Sequence, residues 1–119
     1  MKISEIITLL DAKLLCGEEY INGEVASACC SDMMSDVLAY VKDQGVLLTG
    51  LTNPQVIRTA NMMDMVCIVF VRGKNPTEEM ISLAEGCGIV VMKTEKRAFE
   101  ASGILYSAGL SRRLEEKNV

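Results

Sequence analysis

Two hydrophobic periods alternate along the chain. Ile3, Ile6, Ile7 and Leu10 recur at i, i+3, i+4 and i+7, which predicts a short amphipathic helix over residues 3–10, with Ser4 as an aid to its start. Residues 13–16 (Lys-Leu-Leu-Cys) suit a brief strand, and Gly17, Asn22 and Gly23 mark turns. Glu24 to Cys30 reads as a strand. Met34, Val37, Leu38 and Val41 return to helical spacing, with Ser31 or Asp32 as the N-cap. Val46 to Thr49 is the next strand, and a helix follows from Pro54 to about Met63. Val66 to Val71 is the most apolar segment, within the longest unbroken apolar run, and suits an interior strand covered on both faces. A helix from Pro76 to about Glu85, ended by Gly86 and Gly88, leads to a strand over Ile89 to Met92. Thr94 precedes a last helix, Glu95 to Ser107, with Ala98, Ala101 and Leu105 turned inward.

Strands alternating with helices predict a three-layer α/β/α fold with a mostly parallel sheet of about five strands. No Pro-, Gly- or Ser-rich linker interrupts the pattern. The expected organisation is one domain over residues 1–110 and a polar C-terminal tail over 111–119.

Composition narrows the function classes. Half of the 119 residues are hydrophobic, enough for a real core, and 24% are charged, enough for a solvated surface. A net charge of -4 with five aromatic residues lacks the basic, stacking-rich signature of a nucleic-acid binder. No apolar run is long enough to cross a bilayer, and Ser4, Glu5, Thr8 and Asp11 interrupt any signal-peptide core, so the chain reads as cytoplasmic. The five cysteines (Cys16, Cys29, Cys30, Cys67 and Cys87) are odd in number and show no CxxC spacing, and histidine is absent. That argues against a disulfide framework and against a metal site, and leaves the cysteines as small buried hydrophobes. Eight methionines read as core filler, or, at Met33-Met34 and Met62-Met63, as adaptable contact surface for a homodimer.

One local pattern occurs twice. Leu47-Leu48-Thr49-Gly50-Leu51-Thr52-Asn53-Pro54 and Val69-Phe70-Val71-Arg72-Gly73-Lys74-Asn75-Pro76 both run strand, glycine-containing loop, Asn-Pro. Asn suits the N-cap and Pro the first helical position, and Glu78 three residues after Asn75 resembles a capping box. The repeat fits two well-made helix starts, or a shared ligand site. In the second reading Thr49, Gly50, Thr52, Asn53, Arg72, Gly73, Lys74 and Asn75 hold a phosphate or nucleotide. Helix N-termini attract anions, glycines admit close approach, and Arg72 and Lys74 are cationic in an acidic chain.

No catalytic motif is present. Gly73-Lys74 lacks the glycine that a P-loop needs and is followed by Asn75, there is no GxGxxG or GxSxG, and without histidine no Ser-His or Cys-His pair exists. The carboxylate pairs Glu18-Glu19, Glu78-Glu79 and Glu115-Glu116 read as solvated surface. The expectation is no enzyme, no cofactor and no catalytic residue.

Several phrases resemble the DRTGG domain family over Lys2 to Leu110. Lys2-Ile3-Ser4-Glu5-Ile6-Ile7-Thr8-Leu9-Leu10 is similar to the family's opening helix, and Glu24-Val25 with Met33-Met34-Ser35-Asp36-Val37-Leu38 to its strand and following helix. Gly73-Lys74-Asn75-Pro76-Thr77-Glu78-Glu79-Met80, through Leu83-Ala84-Glu85 to Gly88-Ile89, is similar to its second patch. The name-giving letters differ: Thr52-Asn53 stand in place of Asp-Arg, and Val71-Arg72-Gly73 in place of Thr-Gly-Gly. The resemblance implies an α/β/α fold similar to the N-terminal domain of HPr kinase, without the kinase active site. Such domains accompany CBS domains in regulated pyrophosphatases and lie beside phosphotransacetylase domains. It therefore implies a free-standing, non-catalytic regulatory or protein-interaction module that self-associates. The alternative is a small-ligand sensor binding a nucleotide or other phosphate at the paired loops.

Overall fold

Strands covered on both faces need apolar side chains at every position, and three segments here meet that need. In the computed structural model, which describes residues 1–40 and 45–110, β3 (Gly45–Thr49), β4 (Cys67–Phe70) and the first three residues of β5 (Val90–Lys93) are buried throughout. Two edge strands complete the sheet, β1 (Lys13–Cys16) and β2 (Ser27–Cys30), in the order β1-β5-β4-β3-β2. β2, β3, β4 and β5 run parallel, and β1 lies antiparallel to β5. The expected interior strand at Val66 to Val71 is therefore central, in a narrower span.

Period-two alternation divides the strand side chains between two layers. Val46, Leu48, Cys67, Val69, Val71, Val90 and Met92 face one side, where α1 (Ile3–Leu10) contributes Ile3, Ile6 and Leu10 and α5 (Ala98–Leu105) contributes Ala101 and Leu105. Leu47, Ile68, Phe70 and Val91 face the other, against α2 (Met34–Tyr40), α3 (Pro54–Met62) and α4 (Glu78–Cys87), through Val37, Val56, Ile57, Ala60, Met80 and Ala84. Each fully buried aliphatic or aromatic side chain contributes roughly 1.5–3 kcal/mol over its exposed state. The three-layer α/β/α expectation holds.

Several local expectations are corrected. α1 starts after Lys2, whose N–H donates to Glu5 Oε1 at 2.9 Å, so Ser4 lies inside the helix and accepts from Thr8 Oγ1 instead. The strand expected from Glu24 begins only at Ser27, because Glu24 and Val25 pair with the N-terminus: Val25 N–H donates to the Met1 carbonyl at 2.7 Å. α5 starts at Ala98, not Glu95, because Thr94 turns the chain. Its hydroxyl donates to the Leu10 carbonyl at 2.8 Å and accepts from Lys96 N–H at 3.2 Å. Ala101 and Leu105 face inward as expected, Ala98 is half-buried, and a π-helical turn over Tyr106–Leu110 follows. Leu38 is exposed rather than part of the inner helical stripe. Val41, the tail over 111–119 and the pair Glu115-Glu116 lie outside the described residues.

The cysteines divide. Cys16 and Cys67 are buried, and burial raises both thiol pKa values, whereas Cys30 and Cys87 are exposed and do not fill the core. The methionines divide too: Met65, Met80 and Met92 are core, while Met33 and Met62 are exposed.

Candidate functional site

β3 and β4 are parallel neighbours, with Thr49 in register with Phe70. The loops after them, residues 50–53 and 71–77, therefore emerge side by side at the carboxyl end of the sheet, the usual ligand edge of open α/β folds. The loops after β2 and β5 join them there. Ser31 N–H donates to the Leu48 carbonyl at 3.1 Å, Val71 N–H to Thr49 at 3.0 Å, and Thr94 N–H to Phe70 at 2.9 Å, so each strand stays tied to its neighbour past its last residue.

The centre of this edge is Asp32, expected only as a helix cap. Its Oδ1 accepts from the Thr49 hydroxyl at 2.9 Å and from Gly50 N–H at 2.8 Å, and its Oδ2 lies 3.7 Å from Arg72 Nη2. The Gly50 N–H, then the Thr49 hydroxyl, then the Arg72 and Lys74 charges hold the Asp32 carboxyl below its usual pKa, against a smaller opposing effect of burial. Ser31 takes the local role instead, its hydroxyl oxygen accepting from Met33 N–H at 3.0 Å. A sequence signal for Asp32 existed in its place just after β2, at the same sheet edge as the other loops. Its partner across the sheet was not readable.

The first loop is closed by its own groups. Thr49 is buried, and its hydroxyl also accepts from Leu51 N–H at 3.1 Å. Asn53 caps α3 as expected, its Oδ1 accepting from Gln55 N–H at 2.8 Å, while Pro54 carries no donor and Val56 N–H goes to the Asn53 carbonyl. Thr52 and Asn53 are exposed.

The second loop folds differently. Arg72 and Gly73 both adopt the left-handed region, at φ 60 and 66, and Lys74 N–H closes onto the Val71 carbonyl at 3.2 Å, as in a type I′ turn. Arg72 N–H donates to the Lys96 carbonyl at 2.8 Å and Gly73 N–H to the Thr94 carbonyl at 2.9 Å. This detour displaces the helix start. Asn75 does not cap α4: Thr77 does, its hydroxyl accepting from Met80 N–H at 3.2 Å. Asn75 instead accepts from Lys93 Nζ, so the expected capping box from Asn75 to Glu78 is absent and the two Asn-Pro pairs are not equivalent.

Both glycines are shielded by charged side chains. A Cβ on Gly50 would meet Arg72 Nη2 at 2.1 Å, and one on Gly73 would meet Glu95 Oε1 at 2.6 Å. The guanidinium lies over the backbone that a ligand was expected to approach. The eight expected site residues thus share one sheet edge. Asp32, Glu95 and the carbonyls of Thr94 and Lys96 stand among them as neighbours the sequence reading missed.

Residues 5–108 match the DRTGG domain family. The chain belongs to this family. A solved structure similar to this DRTGG domain is that of the CBS and DRTGG domains of the regulatory region of Clostridium perfringens pyrophosphatase, complexed with its activator diadenosine tetraphosphate. The TM-score is 0.71 at 18% identity, over 87% of this chain and 45% of that one, so the chain spans under half the length of that regulatory region. No curated protein matches. Among the described residues, no cluster of His, Cys, Asp or Glu is arranged to hold a metal, and no helix is long and apolar enough to cross a membrane.

Proposed function

We propose that this DRTGG domain is a regulatory module that works by association, forms a homodimer and carries out no reaction of its own. The observation that carries the reading is the state of the sheet's carboxyl edge. Where open α/β folds commonly place chemistry, the N–H groups of Gly50, Leu51, Arg72, Gly73 and Lys74 all donate to groups of the chain itself. Of the side chains gathered there (Asp32, Thr49, Arg72, Lys74 and Asn75), the one hydroxyl that meets a carboxylate, Thr49 on Asp32, is buried and its oxygen also accepts from Leu51 N–H. Exposed Leu38 on α2 and Met62 on α3, with Met33 just before α2, supply apolar surface for a protein partner. An odd cysteine count suits a reducing compartment, and we place the protein in the cytoplasm. Light scattering over micromolar concentrations tests the reading: a mass of two chains is expected, and a mass of one chain throughout overturns it.

A second reading, an anion sensor, is favoured by the Asp32–Arg72 pair. At 3.7 Å, with side chains 56% and 48% exposed, this pair is weak and can exchange partners. A phosphate or nucleotide entering the edge would draw Arg72 from Asp32 and meet Lys74 beside it, with Thr49, Gly50, Thr52, Asn53, Gly73 and Asn75 as the surrounding loop. The similar pyrophosphatase region is bound to a dinucleotide polyphosphate, which makes nucleotides the first ligands to try. A thermal-shift series with inorganic phosphate, ATP and diadenosine tetraphosphate should raise Tm in proportion to RT ln(1 + [L]/Kd). Arg72→Glu with Lys74→Glu should abolish that rise. An unchanged rise in the double variant moves the ligand elsewhere.

A further inference from the structure

The two edges of the sheet are finished differently. At β1 the exposed Lys13 and a register break between Leu14 and Cys16 guard the edge, as natural sheets do against unwanted pairing. At β2 the sequence is Ser27-Ala28-Cys29-Cys30, with no charge, no proline and no bulge. Ser31 N–H donates to the Leu48 carbonyl, which sets the parity of the strand: odd-numbered residues turn their backbone groups to β3, and Ala28 and Cys30 turn theirs outward. Both are exposed.

Their side chains are uncovered as well. Ala28 and Cys30 are in register with Val46 and Leu48, which are buried under the α1 and α5 layer. Among the described residues that layer reaches β3, which α5 touches, and Ala28 and Cys30 of β2 stay exposed. On α5, Ile104 packs toward the core shared with α1. Phe99 on α5 and Tyr106 just past it are 93% and 70% exposed.

We propose that a second copy of this chain pairs its own β2 antiparallel to this one about a two-fold axis, joining the two sheets into one. The inference rests on the homodimer reading and names its surface. An antiparallel pairing centred on Cys29 sets Ala28 of each copy against Cys30 of the other and satisfies the outward backbone groups of all four residues together. No charged side chain lies in the pairing segment. This matters for a partner that also carries a net charge of -4, since two such copies approach with least repulsion through a neutral strip. Three inter-strand steps separate the two β3 strands in that arrangement, roughly 14 Å. The trough this leaves between the two α5 helices is of a size for Phe99 and Tyr106 from both copies to fill.

The test is light scattering of the wild type and of Ala28→Lys and Cys30→Glu, with circular dichroism confirming that each variant is folded. Both substitutions are on exposed side chains, and either variant alone suffices if the other fails to fold. A charge placed twice at a two-fold contact should weaken dimerisation more than about tenfold. A two-chain mass for the wild type and a one-chain mass for the variants supports the β2 surface. A two-chain mass for all three overturns this surface and leaves self-association standing. A one-chain mass for the wild type overturns both. Phe99→Ser with Tyr106→Ser provides an independent arm, with the same direction and a smaller effect expected.

Discussion

Asn53-Pro54 and Asn75-Pro76 are the same dipeptide after neighbouring parallel strands, yet only the first begins a helix. At the first, the chain leaves β3 directly, and Asn53 reaches the Gln55 N–H as an N-cap. At the second, the left-handed pair Arg72-Gly73 ties the chain to the carbonyls of Lys96 and Thr94. Two more residues are then needed before Thr77 takes the cap, and Asn75 is left to accept from Lys93. The comparison teaches that cap chemistry nominates a helix start and that the path of the preceding loop selects among the nominees. The same contrast separates the glycines: Gly73 needs its positive φ, and Gly50 is small because Arg72 lies on it.

The largest effect should come at the turn that makes the loops differ. Gly73→Ala forces a Cβ into the left-handed region and against the Glu95 carboxylate, at a cost of about 1–2 kcal/mol by urea unfolding. Gly50→Ala should cost less, because the obstructing group is the end of a flexible arginine. An equal or larger loss there would mean that the Arg72 position is rigidly held.

Next come the caps. Asn53→Ala and Thr77→Ala should each lose about 1 kcal/mol, as N-caps do. Asn75→Ala should stay within about 0.5 kcal/mol, since its bond to Lys93 is exposed. Equal losses at Asn53 and Asn75 in thermal or urea unfolding would erase the contrast.

The smallest effect is one of pH. The folded-state pKa of Asp32 lies below its ordinary value, so the folded state holds this proton less tightly than the unfolded chain does. Its contribution is fully present above the ordinary carboxylate range near pH 4 and is lost as pH falls through the lowered folded value. Asp32→Asn should flatten that part of the stability curve, measured by thermal unfolding between pH 6 and pH 2. An unchanged slope would show that Asp32 gains nothing from its contacts to Gly50, Thr49 and Arg72.

The legibility of the chain follows the same line. The apolar run at Cys67–Phe70 can satisfy itself only inside a sheet, and the i, i+3, i+4 stripe of α1 only on one, so both were readable from local pattern. Glu24 and Val25 looked like strand as the start of the run to Cys30, but they pair with Met1 and Lys2, a contact between distant parts of the chain. Cys30 looked like core because cysteine is usually buried. It is exposed because β2 is an edge strand, and among the described residues no helix covers Cys30 there. At the candidate site, Arg72 and Lys74 could be seen as cations, whereas the Asp32 carboxylate that Arg72 meets is distant in sequence.

What the sequence by itself determined is the succession of elements, the division of strand side chains between two layers and the capping of α3 by Asn53. Each of these follows from periodicity or from chemistry within a few residues. Only the tertiary structure decided that Asp32 bridges Thr49, Gly50 and Arg72, that Thr77 rather than Asn75 caps α4, and that β2 is left open while β1 is guarded. The physical reason is range. Backbone propensity and capping act over one turn, whereas these outcomes depend on which groups the folded sheet sets side by side from strands far apart in the chain.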